Sequence, residues 1–82
     1  MPPYIIKPHA QLRMKERGIA EGRIREALKY PTKIEYDEKG RILFKKVYGI
    51  KGKRLLLVAA ESVRGKLEII TVIDTSKVEK YL

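Results

Sequence analysis

Hydrophobic and polar positions follow two different periods along this chain, and the change between them falls at Pro31. Upstream the apolar spacing is helical. Pro8 suits the first turn of a helix, where its missing N–H would have no intrahelical partner anyway. The pattern predicts a helix from Pro8 to about Arg17, closed by Gly18 as a left-handed residue. Ile19 and Met14 would then make the apolar contact that accompanies such an ending. A second helix is expected from about Ala20 to Lys29, with Ile24, Ala27 and Leu28 as its i, i+3, i+4 stripe and Pro31 beyond its end. Its start is weakly encoded, because Ala20 is a poor N-cap and Gly22 falls in the first turns.

Beyond Pro31 the period is two. Lys33–Asp37 alternates through Ile34 and Tyr36, Asp37-Glu38-Lys39-Gly40 supplies turn residues, and Ile42, Phe44 and Tyr48 alternate along a longer strand. Lys51-Gly52 is the next turn. Leu55-Leu56-Leu57-Val58-Ala59-Ala60 is apolar on both faces and reads as the central strand. Arg64-Gly65 turns the chain into a last strand, Leu67–Asp74. Short turns between successive strands imply an antiparallel meander. Ser76-x-x-Glu79 reads as a capping box opening a final helical turn through Leu82. The expected fold is α+β: two N-terminal helices packed on one face of a four-stranded antiparallel β-meander, with a short C-terminal helical turn. One domain, residues 1–82, is expected.

Composition narrows the chemistry more than it alters this picture. The chain has no cysteine and a single histidine, His9, so disulfides, thiolate zinc sites and histidine clusters are all excluded. No metal and no cofactor is expected. Asparagine is absent and glutamine occurs once, while Lys and Glu are plentiful, a balance that suits a thermophile. No apolar run reaches the length of a membrane span and no signal-peptide pattern opens the chain, so a cytoplasmic location is expected.

Charge adds a functional direction. Nineteen Lys and Arg against ten Asp and Glu leave a net +9 on 82 residues, which favours polyanionic partners. Lys39, Arg41, Lys45, Lys46, Lys51, Lys53 and Arg54 follow one another with no acidic residue between them. A solubilising face is the plain explanation of such a run. The functional one makes Lys45, Lys46, Lys53 and Arg54 ligands for nucleic-acid backbone, with Tyr48 beside them to stack a base. Tyr36, Phe44 and Tyr48 alternate on neighbouring strands, which cross-strand packing explains equally well. No amphipathic helix carries the run, which argues against a membrane surface.

At about 100° per residue, His9, Arg13 and Arg17 stack on one side of the first helix, between Leu12 and the pair Ala10 and Met14. Guanidiniums there must pair, snorkel or line a cleft. Glu16 and another carboxylate would satisfy them in a structural role. Otherwise the trio is an anion site with one titratable imidazole. It has the parts for metal-independent RNA cleavage: an imidazole to move a proton from the 2′-hydroxyl, and guanidiniums to stabilise charge on the phosphorane. Thr71, inside an apolar strand, is either a β-former or a hydroxyl facing the same cleft. Ser62 and Ser76 lack a nucleophile-elbow context, and Gly49-Ile50-Lys51-Gly52 has neither Walker nor Rossmann spacing.

The segment Pro8-His9-Ala10-x-x-Arg13-Met14-x-x-Arg17-Gly18-Ile19, with Ile70-Thr71-Val72-Ile73 near the other end, resembles the family of domain of unknown function 4258 from Tyr4 to Asp74. The likeness extends to the second helix leading into a proline, although Ala20-Glu21-Gly22-Arg23 departs from the capping residue usual there. The resemblance implies a RelE-like domain, related to ribonuclease toxins of the barnase and colicin type. It further implies an endoribonuclease site around His9, Arg13, Arg17 and Thr71. The expected function is thus metal-independent cleavage of RNA, free or on ribosomes, with a small acidic antitoxin as protein partner. The alternative is a non-catalytic RNA-binding or protein-interaction module on the same scaffold.

Overall fold

The computed structural model describes residues 3–82. In chain order the elements are strand β1 (Tyr4–Ile6), helices α1 (Pro8–Arg17) and α2 (Glu21–Lys29), strands β2 (Lys33–Tyr36) and β3 (Ile42–Tyr48), a short 3-10 turn, strands β4 (Arg54–Val63) and β5 (Lys66–Thr75), and helix α3 (Val78–Tyr81). The five strands form one mixed sheet in the order β1-β5-β4-β3-β2. From β2 to β5 neighbours are antiparallel, whereas β1 lies parallel to β5, with Tyr4 opposite Leu67 and Ile6 opposite Ile69.

This overturns the expected two helices on a four-stranded antiparallel meander. The class is α+β, but with five strands, one parallel pair and three helices. The first strand escapes a periodic reading for a physical reason: three residues show at most one alternation, and their partner lies some sixty positions away. Tertiary pairing alone makes Tyr4–Ile6 a strand, with Lys7 N–H donating to Ile69 at 2.9 Å before Pro8 opens α1.

Local signals explain the helices. Gly18 ends α1 at φ 64°, ψ 35°, where an L side chain would be strained. Ile19 N–H reaches the Met14 carbonyl at 2.8 Å and Gly18 N–H the Lys15 carbonyl, the paired bonds of a Schellman ending. α2 starts at Glu21 without a side-chain cap, and Arg25 pairs with Glu21 at 2.9 Å along its outer face. The capping box at Ser76 does not form. Instead Thr75 Oγ1 accepts from Lys77 N–H at 3.0 Å, and α3 begins two residues after Ser76.

The main core lies between α1, α2 and one sheet face. Ala10, Ile24, Ala27 and Leu28 from the helices meet Phe44, Leu56, Val58, Ala60, Leu67, Ile69 and Val72 from the strands. Leu55, Leu57 and Ala59 are also buried, on the opposite face of β4. There α3 packs on β4, and the chain end crosses to β2, where Lys33 Nζ donates to the Leu82 carbonyl at 3.0 Å. The helices therefore occupy both faces rather than one.

A bulge interrupts β5. The register with β4 shifts between Ala59 and Ala60, which pair with Thr71 and Ile69 and leave Ile70 as the extra residue. The shift reverses the alternation. Leu67 and Ile69 face the helices before it, and Val72 and Asp74 after it. Thr71 belongs by register to the second face. Among the described residues, no helix is long and apolar enough to cross a membrane.

Candidate functional site

Because β1 covers β5 only as far as Ile69, the edge of β5 from Thr71 to Asp74 is left beside α1. A cleft of about 270 Å³ opens there, lined by Arg13, Arg17, Thr71, Val72, Ile73 and Asp74. Three of the four residues expected to carry catalysis thus meet in one place. The fourth, His9, sits exposed on α1 one turn before Arg13 and is not part of the lining. Neither Arg13 nor Arg17 takes part in any ion pair among the described residues, so the structural role for them, pairing with Glu16, is not what is seen.

Asp74 links this cleft to a second group of polar side chains on the same face. Its Oδ2 accepts from the Tyr48 hydroxyl at 2.5 Å and its Oδ1 from Arg54 at 2.8 Å. The three come together because Tyr48 opposes Arg54 across β3 and β4, while Leu56, next along the same face, opposes Asp74. The Arg23 guanidinium of α2 lies 4.4 Å from the Tyr48 ring centroid, over its face. Burial, and then the Asp74 carboxylate, hold the Tyr48 hydroxyl above its ordinary pKa, so it stays a proton donor. The Tyr48 hydroxyl and Asp74 in turn raise Arg54. Four guanidiniums therefore gather at one end of the helix-covered face with Asp74 as the carboxylate in the group: Arg54 bonds it, Arg13 and Arg17 line the cleft with it, and Arg23 lies over Tyr48. That field favours an anion with several oxygens.

Asp74 and Arg23 are not legible as site residues in the sequence. Simple alternation from Leu67 puts Asp74 on the far face, and only the bulge turns it toward Tyr48. Arg23 gives one signal, a basic residue in the first turn of a helix whose stripe is Ile24, Ala27 and Leu28, but nothing in the sequence connects it to Tyr48.

The expected nucleic-acid ligands separate into different surroundings. Tyr48 and Arg54 belong to the network around Asp74. Lys46 is on the same face but donates to the Tyr30 carbonyl at 2.9 Å, closing the C-terminal end of α2. Lys45 points to the opposite face, is only 7% exposed, and forms a hydrogen-bonded ion pair with Glu35. That contact, ahead of the Coulomb attraction of Lys33 and Lys45, holds the Glu35 carboxyl below its usual range despite an opposing desolvation effect. Lys53 is exposed, in a second hollow with Gly52, Ser76, Lys77 and Val78.

The segment joining Tyr48 to Arg54 is tightly turned. Gly49 at φ 85° and Gly52 at φ 63° flank Lys51, which itself sits at φ 58°. A Cβ on Gly49 would approach Arg54 Cγ to 3.3 Å, so this glycine lets Arg54 lie back against the turn on its way to Asp74. Among the described residues no three His, Cys, Asp or Glu side chains gather as metal ligands would.

A family model matches residues 6–74, from the last residue of β1 to Asp74, and so contains every residue of the cleft and its network. The chain belongs to the family described as Domain of unknown function (DUF4258). No curated protein and no solved structure matches it. The DUF4258 description assigns no activity, so the functional reading rests on the chemistry of the cleft itself.

Proposed function

We propose that this DUF4258 domain acts on RNA as a metal-independent endoribonuclease of toxin type, with the scissile phosphate held between Arg13 and Arg17 at the β5 edge. The observation that carries this reading is the pair of guanidiniums facing a cleft without carboxylate partners, in a chain of net charge +9. Guanidiniums match phosphate oxygens in bidentate fashion and stabilise charge that builds on them during transfer. Arg54 and Arg23 would bind the neighbouring backbone, and the Tyr48 ring a base.

Cleavage needs no added nucleophile. The 2′-hydroxyl attacks phosphorus, the bond to O5′ breaks, and the products are a 2′,3′-cyclic phosphate and a 5′-hydroxyl. His9 would accept the 2′ proton or supply one to O5′. A likeness to RelE-type ribonuclease toxins is part of this proposal, as is a small acidic antitoxin that neutralises the basic face.

The second reading, RNA binding without cleavage, is favoured by one observation. His9 does not line the cleft, so general acid–base catalysis would require the imidazole to swing toward the phosphate. An RNA-cleavage assay with chelator present, comparing the wild-type chain with His9→Ala, decides between them. Defined cuts ending in cyclic phosphate that vanish in the variant support catalysis. Binding with no cuts, by both proteins, leaves the binding module. Unchanged cuts in the variant refute the role of His9.

A further inference from the structure

β2 borders the sheet, with β3 on one side and no strand on the other. The ladder itself tells which of its groups are open. Asp37 N–H donates to the Arg41 carbonyl at 3.1 Å, one rung beyond the Tyr36–Ile42 pair. Hydrogen-bonded and non-hydrogen-bonded pairs alternate in an antiparallel ladder, so Lys33 and Glu35 turn their backbone groups toward β3, and Ile34 and Tyr36 turn theirs outward. The side chains here are unusually bare for their size: Tyr36 is 71% exposed, Tyr30 61% and Ile34 47%. Ile34 and Tyr36 line an apolar groove of about 420 Å³ reaching in to Leu28, Ile42 and Phe44. An open strand edge next to clustered apolar side chains is a template for another strand.

The charges along this edge select the occupant. We propose that β2 pairs antiparallel with β2 of a second copy of this chain, about a two-fold axis through Ile34. In that register the two Ile34 residues form a hydrogen-bonded pair. Lys33 of each copy stands directly opposite the partner's Glu35, on the same face, and this happens twice. Each Tyr36 falls opposite the partner's Thr32, and the pairing covers Ile34 and Tyr36 of both copies. Sliding by two residues also pairs the open groups but sets Glu35 against the partner's Glu35, and like charges directly opposed destabilise a ladder. The pattern Lys-Ile-Glu-Tyr is therefore self-complementary in one register, as an isologous interface requires. The net +9 of each copy opposes association at long range, and physiological salt, with a screening length of about 8 Å, removes most of that repulsion. The dimer consequently tightens as salt rises from low values, whereas RNA binding weakens. Its fate is independent of the ribonuclease reading.

Absence of cysteine from the chain makes a direct test available. The Cα atoms of a hydrogen-bonded antiparallel pair lie about 5.5 Å apart, inside the range a disulfide spans. Ile34→Cys should oxidise to a covalent dimer, while Leu12→Cys, at a site 54% exposed on α1, should form no disulfide-linked dimer. In sedimentation equilibrium the wild-type chain should dimerise, and Lys33→Glu, which leaves the Glu35–Lys45 pair in place, should weaken the dimer about tenfold by setting two pairs of like charges opposite each other. Circular dichroism checks that each variant is folded. A wild-type chain that sediments as a monomer throughout overturns the proposal. So does equal cross-linking through Leu12→Cys, or a Lys33→Glu dimer as tight as the wild type's; in that event the edge awaits a strand from a different protein.

Discussion

Replacing Asp74 by alanine tests whether the bulge in β5 delivers a structural anchor to the cleft. The Asp74 side chain is 15% exposed and accepts from Tyr48 at 2.5 Å and Arg54 at 2.8 Å. A hydrogen bond to a charged group contributes about 1.5–3 kcal/mol net, and more is lost when the remaining partner stays half-buried. The Arg54 pair adds less, about 0–1 kcal/mol, because its guanidinium side is 44% exposed. Asp74→Ala should therefore cost about 2–4 kcal/mol. For a domain of this size that lowers the melting temperature by about 8 °C or more. Tyr48→Phe keeps the carboxylate for Arg54 but loses the hydrogen bond to it, and should cost about 1.5–3 kcal/mol. The double variant should show coupling of about 1–2 kcal/mol rather than additivity. Urea unfolding followed by circular dichroism measures all three. Tyrosinate absorbance gives an independent readout: without Asp74, the Tyr48 titration should fall back toward its ordinary range. Losing the one carboxylate among four guanidiniums should also strengthen RNA binding. An Asp74→Ala protein as stable as wild type, with an unshifted tyrosine titration, would refute the network.

Stability should fall at both ends of the pH scale. Glu35 and Asp37 titrate lower in the fold than when unfolded, Glu35 chiefly through Lys45 and Asp37 chiefly through the Arg41 backbone N–H, so their contribution is present above about pH 4 and lost as pH falls through their folded values. Tyr48 titrates higher in the fold, so its contribution is full below about pH 10 and lost as pH rises further. Urea midpoints across pH check both limbs, and Asp74→Ala should flatten the alkaline one. Lys45→Met should leave RNA affinity unchanged, because that side chain is buried on the far face against Glu35. Its stability should stay within about 1 kcal/mol, because methionine keeps the buried aliphatic stem and Glu35, 40% exposed, stays solvated beside Lys33, whereas Glu35→Ala, which strands the buried Lys45, should cost more.

The sequence carries its local signals openly and its long-range ones poorly. Gly18 with Ile19 and Met14 specifies the end of α1 completely, because the Schellman bonds lie within six residues. Alternation through Ile42, Phe44 and Tyr48, and the apolar run of β4, reflect burial on one or both faces and are read directly. Two features depend on contacts that no local pattern encodes. Tyr4–Ile6 is a strand only because β5 is present. Ile70 is bulged, and that single extra residue decides that Asp74 rather than Ile73 stands beside Tyr48. The candidate site divides in the same way. Arg13 and Arg17 follow from helical spacing, and the cleft brings them beside Thr71 while leaving His9 outside its lining. Lys45 reads as basic and exposed within a charge run, yet strand alternation places it opposite its neighbour Lys46, and Glu35 then buries it.

The central claim, that Arg13 and Arg17 hold RNA phosphate at the β5 edge, is tested most directly by binding to a 2′-deoxy-blocked, uncleavable RNA as salt is varied. Each phosphate contact adds about 0.7 to the log–log slope for a single strand. The double variant Arg13→Ala with Arg17→Ala should therefore bind more weakly, with a slope shallower by about 1.4, and melt as the wild type does. Equal affinity and equal slope in the two proteins, or a wild-type chain that does not bind RNA, would contradict the account.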